Sequence, residues 1–361
     1  MMGAASVLTP IQAASLPLNN FSIKADALGA DLPRIRMILV GESSLKYLDS
    51  LVCDTLSSMP NWRPQDILYL DNSGYLVICP ARIERFIPYR VGDDWEISEQ
   101  AIADHAETAS RFQRSESGIT QFIRDSDWLL IVAALDNPMA FFASEKIATI
   151  ARDAGVMSVS VVGTPYLAGL MEADGRWAHS EVLSGATIDV AERMSAICQC
   201  TIPDNGFWGQ GADSLSWGFY MSESALHMIS EMATRIDCCA QIGDAIASSG
   251  VCMVGERYAT FEHMRPAIEE VLLEYSSSDW WGDMQITSTG AIFQIAGEVD
   301  KASLMKDALS QYLSKPSQFL RNGSPFWRDE ANFYIVTSTS GYLHDADDCL
   351  IRIFSTGVAP I

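Results

Sequence analysis

The chain has 361 residues, 48% of them hydrophobic, and its formal net charge is −22. This length predicts two domains, each large enough to bury its own core. The negative charge argues against binding to nucleic acid or to an anionic membrane surface, because both would repel the protein. The sequence contains no run of about 18 uncharged apolar residues, so we predict no membrane-spanning helix.

Residues 1–33 are predicted to form a flexible N-terminal extension. They are rich in small residues and contain no lysine or arginine before Lys24. A secretory signal begins with positive charge, which this segment lacks. We therefore expect a cytoplasmic protein whose first residues are loosely held.

The cysteines are typical of a reduced protein. Most lie in apolar runs and none forms a C-x-x-C pair, which favours buried thiols over disulfides. The pairs Cys198/Cys200 and Cys238/Cys239, or the acidic loop at 342–349, are alternative metal ligands. Metal sites usually need spaced cysteine pairs from separate loops, however, and turns select aspartate for backbone reasons, so we predict no metal site. The eight cysteines are residues 53, 79, 198, 200, 238, 239, 252 and 349.

Strands and helices alternate in the N-terminal half of the chain. Apolar runs predict strands over 35–40, 66–71, 75–80, 85–91, 128–135, 156–163 and 197–204. Helical periodicity covers 43–58, 98–124, 140–155 and 187–196, the third helix ending at Gly155. Strands that are apolar throughout are buried on both faces, so this order predicts an α/β fold with a doubly wound parallel sheet.

The C-terminal half has a different order of strands and helices. A helix is predicted from about residue 222 to 236, after a segment rich in glycine and tryptophan. Strands are then predicted over 250–259, 290–298, 332–341 and 349–358, with helices over 261–275 and 301–315. Two helices and four strands form a smaller α+β domain.

Several segments match one known family in the same order. RDSDWLLIVAA (124–134) is similar to the family's K-G-A-D-M-V-F-I-T-A-G, and IATIARDAG (147–155) to I-A-E-I-A-K-E-M-G. TIDVAERMSAICQCTIPD (187–204) resembles a helix and strand ending in V-I-P-N-D, and IRIFSTGV (351–358) resembles V-T-V-I-A-T-G-F. Over residues 34–358 the chain thus resembles the FtsZ/tubulin superfamily, and the bacterial FtsZ branch most closely.

The resemblance implies that the chain consists of the N-terminal extension followed by two domains with a central helix between them. Residues 34–221 correspond to a Rossmann-like, GTPase-type domain. Residues 222–245 correspond to a central helix and the loop after it, and residues 246–361 to the FtsZ-like C-terminal α+β domain. In the family, two glycine-rich loops of the first domain present backbone N–H groups to the phosphates of GTP, where a Cβ would block the approach.

Both phosphate loops are altered in this chain. The first keeps Gly41 and continues with Glu42 and Ser43, so a negative charge lies where a phosphate would bind. In the second, a proline offers no N–H, an aspartate adds charge and two phenylalanines add bulk. The same residues suit a helix N-terminus that is capped by the protein itself. Asp136 or Asn137 would be the N-cap, and Pro138 would lie in the first turn. The matching positions are Asp136, Asn137, Pro138, Met139, Ala140, Phe141 and Phe142.

The hydrolytic loop of the family is also changed. Its aspartates orient the attacking water on the nucleotide of the next subunit. The closest match here is RIDCCAQIGDAI (235–246), in which Asp237, Gln241 and Asp244 occupy or flank those positions. Glutamine positions water in some GTPases, so this loop alone does not exclude hydrolysis.

These changes predict a pseudo-GTPase that has lost its cofactor and serves a structural role. The expected role is a filament subunit, a scaffold, or a modulator of a GTP-binding homologue, in membrane remodelling or cell organisation. Its expected partner is a second copy bound head-to-tail, or an FtsZ-like protein. Met139, Phe141 and Phe142 would then either face the subunit junction or plug the empty pocket.

Two alternatives from the enzyme class remain. One is an FtsZ-like GTPase with an unusual pocket, which binds GTP and hydrolyses it on polymerisation. The other is a dinucleotide-binding oxidoreductase. That class needs a G-x-G-x-x-G turn after the first strand, and LVGESSLKY (39–47) lacks it.

Overall fold

The structure is a computed structural model in which the chain forms two compact units. One unit spans Leu18–Glu223 and the other contains Ser224–Ile361. The predicted helix at 43–58 apart from Ser44, the predicted strand at 75–80 and most of the segment 222–245 lie outside the described residues. The structure describes residues 33–41, 44, 67–71, 87–90, 112–113, 116–134, 138–163, 192–204, 243, 245–247, 250–274, 285–321, 323–338 and 348–361.

The N-terminal unit contains a parallel sheet. Its strands lie in the order β3-β2-β1-β4-β5-β6, and every neighbouring pair is parallel. This confirms the predicted doubly wound sheet, since that order requires crossovers on both faces. The strands are β1 (Ile35–Val40), β2 (Ile67–Asp71), β3 (Ile87–Arg90), β4 (Trp128–Ala134), β5 (Met157–Gly163) and β6 (Cys200–Asp204).

The central strands are buried because their sequences are apolar throughout. All residues of β1 and all residues of β5 are buried, and so are Trp128–Ala133 of β4. β1 pairs with β4 from Ile35 opposite Trp128 to Val40 opposite Ala133. Their carboxyl ends therefore finish side by side.

Two helices of this unit flank β4. Helix α1 (Glu116–Arg124) buries Ile119 and Ile123, and helix α2 (Pro138–Asp153) buries a stripe of small and branched residues. The stripe is Ala140, Ala143, Ser144, Ile147, Ala148 and Ala151. Such spacing is the helical period that the sequence showed.

Helix α2 ends at the glycine that the sequence indicated. Gly155 has a φ of 70°, in the left-handed region. The amide of Val156 donates to the carbonyl of Ala151 at 2.9 Å, and the amide of Gly155 to that of Arg152 at 3.0 Å. These two bonds form a Schellman motif, which satisfies the last carbonyl groups of the helix.

Side chains fasten the start of β1 to the region around α1. Asp127 accepts a hydrogen bond from the amide of Arg34 at 2.8 Å. The guanidinium of Arg36 donates to the carbonyl of Phe122 and lies 4.6 Å from the centre of that residue's ring. A cation at the carboxyl end of a helix is stabilised by the helix dipole, so Arg36 anchors α1 against the sheet.

The C-terminal unit contains a mixed sheet with two helices. The strand order is β12-β9-β13-β8; β12 runs parallel to β9, whereas β13 is antiparallel to both of its neighbours. This architecture confirms the predicted α+β layer. The strands are β7 (Gly250–Val251), β8 (Met253–Ala259), β9 (Ile286–Ala296), β10 (Leu320–Arg321), β11 (Ser324–Pro325), β12 (Trp327–Ser338), β13 (Cys349–Thr356) and β14 (Ala359–Pro360), and the helices are α3 (Met264–Glu274) and α4 (Val299–Tyr312).

A group of aromatic rings forms the core of the C-terminal unit. Trp327 is fully buried, and its ring centre lies 5.3–5.6 Å from those of four phenylalanines. Most of these contacts are edge-to-face, a geometry that adds about 0.5–1.5 kcal/mol per pair beyond area burial. The phenylalanines are Phe293, Phe319, Phe326 and Phe333.

A polar row crosses all the main strands of the same sheet. Arg352 on β13 lies opposite Glu256 on β8, and the two form an ion pair of 2.8 Å. Arg352 also donates to the side chain of Gln294 on β9 at 3.2 Å, and Gln294 donates to Ser338 on β12 at 3.2 Å. The row joins four strands through side chains as well as through the backbone ladder.

Candidate functional site

The candidate site lies where β1 and β4 end. These strands are neighbours in the sheet although β2 and β3 lie between them in sequence, so the order reverses at this point. In open parallel sheets, ligands bind at such a switch point, beyond the carboxyl ends of the strands. The predicted first phosphate loop follows Val40, and the second follows Ala134. The fold therefore brings both altered loops to the same edge of the sheet.

In the first loop, the described hydrogen-bond donors are engaged within the protein. Gly41 has a φ of 87°, which favours glycine, and its amide donates to the carbonyl of Leu70 at 3.0 Å. The amide of Ser44 donates to the carbonyl of Gly41 at 3.1 Å. The buried hydroxyl of Ser44 donates to the same carbonyl at 2.6 Å. Glu42 and Ser43 lie outside the described residues.

In the second loop, helix α2 begins at Pro138. The first helical position suits proline because the N–H there has no partner within the helix. A proline at this position also removes a donor for anion binding, because the unpaired N–H groups at a helix N-terminus are the groups that bind phosphates. Asp136 and Asn137 lie outside the described residues, so their capping role stays a prediction.

Among the apolar side chains of this loop, that of Phe142 is described. It is half-buried, and its ring meets that of Phe112 edge to face, with centres 5.8 Å apart and planes at 76°. Phe112 is buried and belongs to the same unit. This contact favours packing of Phe142 within its own unit. Met139 and Phe141 are helical, but their side chains lie outside the described residues.

Ion pairs connect α2 to the helical segments on either side of it. Lys146 lies 3.6 Å from Glu116 of α1, and Arg193, in the helical residues 192–197, lies 2.8 Å from Glu145. These side chains are about 37–47% exposed, so each pair contributes little, on the order of 0.2–1 kcal/mol. Their effect is to orient the helix whose first turn faces the candidate site.

A buried polar cluster lies around the beginning of β5. The side-chain carbonyl of Gln199 accepts from the amide of Ser158 at 2.6 Å, and Ser160 and Thr201 share a hydrogen bond of 2.7 Å. Burial raises the pKa of the Cys198 thiol from 9.0 to about 11, although hydrogen bonds to Ser158 and Ser160 and the charge of Arg152 oppose this. A thiol of that pKa is protonated at neutral pH and is a poor nucleophile.

The sequence placed these residues in two predicted strands but gave no sign of the cluster, because the pairing of β5 with β6 that brings them together is non-local. Cys198, Cys200, Cys252 and Cys349 are all buried, as predicted. Across the described part of the chain, no group of three or more histidine, cysteine, aspartate or glutamate residues is arranged to hold a metal ion. In the same part, no helix is long and apolar enough to cross a membrane.

The three residues assigned to the hydrolytic loop remain predictions. Asp237, Gln241 and Asp244 lie outside the described residues. Nearby, Gly243 and Ile246 are helical and buried. The described geometry therefore bears on the two phosphate loops and not on the hydrolytic loop.

Comparison with known proteins gives a clear result for the fold. No protein-family model and no curated protein sequence matches the chain. Solved structures do match over nearly its full length. An FtsZ from M. jannaschii, solved as an empty dimer, is 13% identical with a TM-score of 0.62, and the match covers 92% of this chain and 91% of that one.

Two further structures have the same architecture. TubZ from Bacillus thuringiensis serovar israelensis, in GDP-form protofilaments, is 10% identical with a TM-score of 0.56, covering 91% of this chain and 87% of that one. CetZ2 from Haloferax volcanii, a GTPgS-bound protofilament, is 10% identical with a TM-score of 0.53, covering 90% and 93%. The TM-scores and the coverage of both chains establish a shared fold despite the low identities, and the chain has the fold of the FtsZ/tubulin superfamily.

Proposed function

We propose that this protein is a structural member of the FtsZ/tubulin fold class that assembles without GTP. It acts in the cytoplasm as a filament subunit or scaffold, or as a modulator of a GTP-binding homologue, in membrane remodelling or cell organisation. Residues 34–221 form the pseudo-GTPase domain, residues 222–245 the central helix and its loop, and residues 246–361 the C-terminal domain. It carries no cofactor and does not hydrolyse GTP.

The observation that carries this proposal concerns the hydrogen-bond donors that follow β1 and β4: those described in the first loop already have partners, and the second loop has a proline where a donor would lie. The amide of Gly41 is bonded to Leu70, and the hydroxyl and amide of Ser44 are bonded to Gly41. The first residue of α2 is Pro138, which has no N–H. A triphosphate arriving here meets a turn whose described donors, on Gly41 and Ser44, are occupied, and a helix whose first residue lacks an N–H.

The free energy lost with the phosphate donors is large enough to weaken nucleotide binding strongly. A hydrogen bond to a charged group contributes about 1.5–3 kcal/mol. A micromolar dissociation constant corresponds to about −8.2 kcal/mol, and a millimolar one to about −4.1 kcal/mol. Loss of two or three phosphate donors therefore costs about 3–9 kcal/mol, which weakens a micromolar site by about a hundredfold or more. The negative charges of Glu42 and Asp136 add to this effect.

The solved structures of the same fold support assembly. The M. jannaschii FtsZ is a dimer that is empty, and the TubZ and CetZ2 structures are protofilaments. The fold is thus one in which subunits associate, and the FtsZ dimer does so in an empty form. By this likeness, the partner of the present chain is a second copy in a head-to-tail arrangement, or an FtsZ-like protein.

Assembly with and without nucleotide tests the proposal. Purified full-length protein is followed by light scattering and negative-stain electron microscopy, with Mg²⁺ alone and with Mg²⁺ plus GTP. We expect the same polymers under both conditions. A GTP-binding protein of this fold serves as the positive control, and mixing the two proteins tests the modulator role. Polymers that form with GTP alone, and shorten as GTP is consumed, would contradict the proposal.

One observation favours the GTPase with an unusual pocket. CetZ2 has the same fold and binds GTPgS, so the fold itself accommodates a guanine nucleotide. Met139 and Ala140, the second and third residues of α2, each carry a backbone N–H. Phosphate release, measured with the protein alone and with a candidate partner, separates the two functions. A rate of phosphate release per protein molecule that rises with protein concentration supports a GTPase that acts on polymerisation.

A further inference from the structure

We draw no further inference here: the strongest candidate, the outer edge of strand β12 in the C-terminal sheet, carries none because nothing in the structure shows what covers it.

Discussion

The hydroxyl of Ser44 donates a hydrogen bond of 2.6 Å to the carbonyl of Gly41, and both residues are buried. The bond spans three residues and closes the turn that follows β1. Ser44 therefore uses its donor within the protein, at the edge of the sheet where the fold class binds its ligand. In this chain the Ser44 hydroxyl therefore stabilises the turn after β1.

Replacing Ser44 with alanine is expected to destabilise the N-terminal unit by about 1 kcal/mol, because one buried hydrogen bond is lost. The measurement is the urea concentration at which the buried thiols of Cys198 and Cys200 become reactive, identified by mass spectrometry. These thiols report on their own unit, which matters because a two-unit chain need not unfold in one step.

Ser310→Ala is the control, and because it lies in the C-terminal unit its stability is measured through the buried thiols of Cys252 and Cys349. Its hydroxyl also donates to a backbone carbonyl, that of Lys306 at 2.9 Å, but on the exposed surface of α4. Exposed substitutions of this kind change stability by about 0.5 kcal/mol or less. Equal and negligible effects of the two variants would show that the Ser44 bond does not hold the turn.

Gly155 is expected to be needed for its backbone conformation alone. Its φ is 70° and it is exposed, so a side chain meets solvent and no packing cost arises. Gly155→Ala should cost about 1–2 kcal/mol, the penalty of the left-handed region for an ordinary residue. Gly155→Asn should cost less, since asparagine tolerates this region. Thiol labelling in urea gives both values, and an alanine variant as stable as the asparagine variant would contradict the assignment.

The ion pair between Arg352 and Glu256 is expected to stabilise the C-terminal unit. Their side chains are 15% and 13% exposed, so solvent screens them weakly. Arg352→Leu removes the cation from a mostly buried carboxylate, and we expect a loss of about 2–4 kcal/mol. Thiol labelling of Cys252 and Cys349 reports this unit.

A double variant isolates the contribution of the pair. Arg352→Leu combined with Glu256→Leu should recover part of the lost stability, because no uncompensated charge is then buried. Lys301→Ala is the control: its pair with Glu298 is 3.3 Å long but more exposed, with an expected effect under about 1 kcal/mol. Strictly additive single effects would show that the two charges do not interact.

Stability at alkaline pH depends on Cys198. Burial raises the pKa of this thiol from 9.0 to about 11. The unfolded chain therefore releases the proton at lower pH than the folded chain does. The stabilising contribution is complete below about pH 9 and is lost as the pH rises towards 11, by about 3 kcal/mol in all.

The expected result is a change in how steeply the unfolding free energy falls with pH, and not only a change in the unfolding free energy at one pH. Cys198→Ala should flatten the fall in unfolding free energy between about pH 9 and 11. Val161→Ala truncates another buried residue of the same unit, one that does not titrate, and should keep the slope of the parent protein. Urea unfolding at several pH values, with Cys200 labelling as the readout, distinguishes them. An unchanged slope in the Cys198 variant would contradict the prediction.

Some strands were predictable to the residue and others were not, for a physical reason. β1 was predicted at 35–40 and lies there, because every position is apolar and buried. β9 was predicted to begin at 290 and begins at Ile286. The missed residues include Thr287 and Ser288, which are buried hydroxyls bonded to the carbonyls of Phe326 and Thr356. Hydrogen bonding to distant backbone is invisible in a local pattern.

The other boundary errors have related causes. β12 was predicted from 332 and begins at Trp327, because the exposed Arg328, Asp329 and Glu330 resemble a loop. The strand shifts register against β9 in that stretch. The strand predicted from 197 begins at Cys200, since Cys198 and Gln199 belong to the polar cluster instead. In each case a non-local contact decides the boundary.

For the candidate site, sequence reasoning identified the two loops but not their internal bonds. Pro138 was expected in the first turn of a helix, and α2 begins there. The sequence predicted that Gly41 lies in an altered phosphate loop, but it gave no sign that Leu70 accepts the hydrogen bond of its amide. That bond depends on which strand lies beside β1, a property of the sheet order.

Isothermal titration calorimetry of the full-length protein with GTP, and separately with GDP, in the presence of Mg²⁺ tests the central claim most directly. We expect no saturable heat for either nucleotide at concentrations up to hundreds of micromolar. A stoichiometric isotherm with a micromolar dissociation constant would contradict that claim.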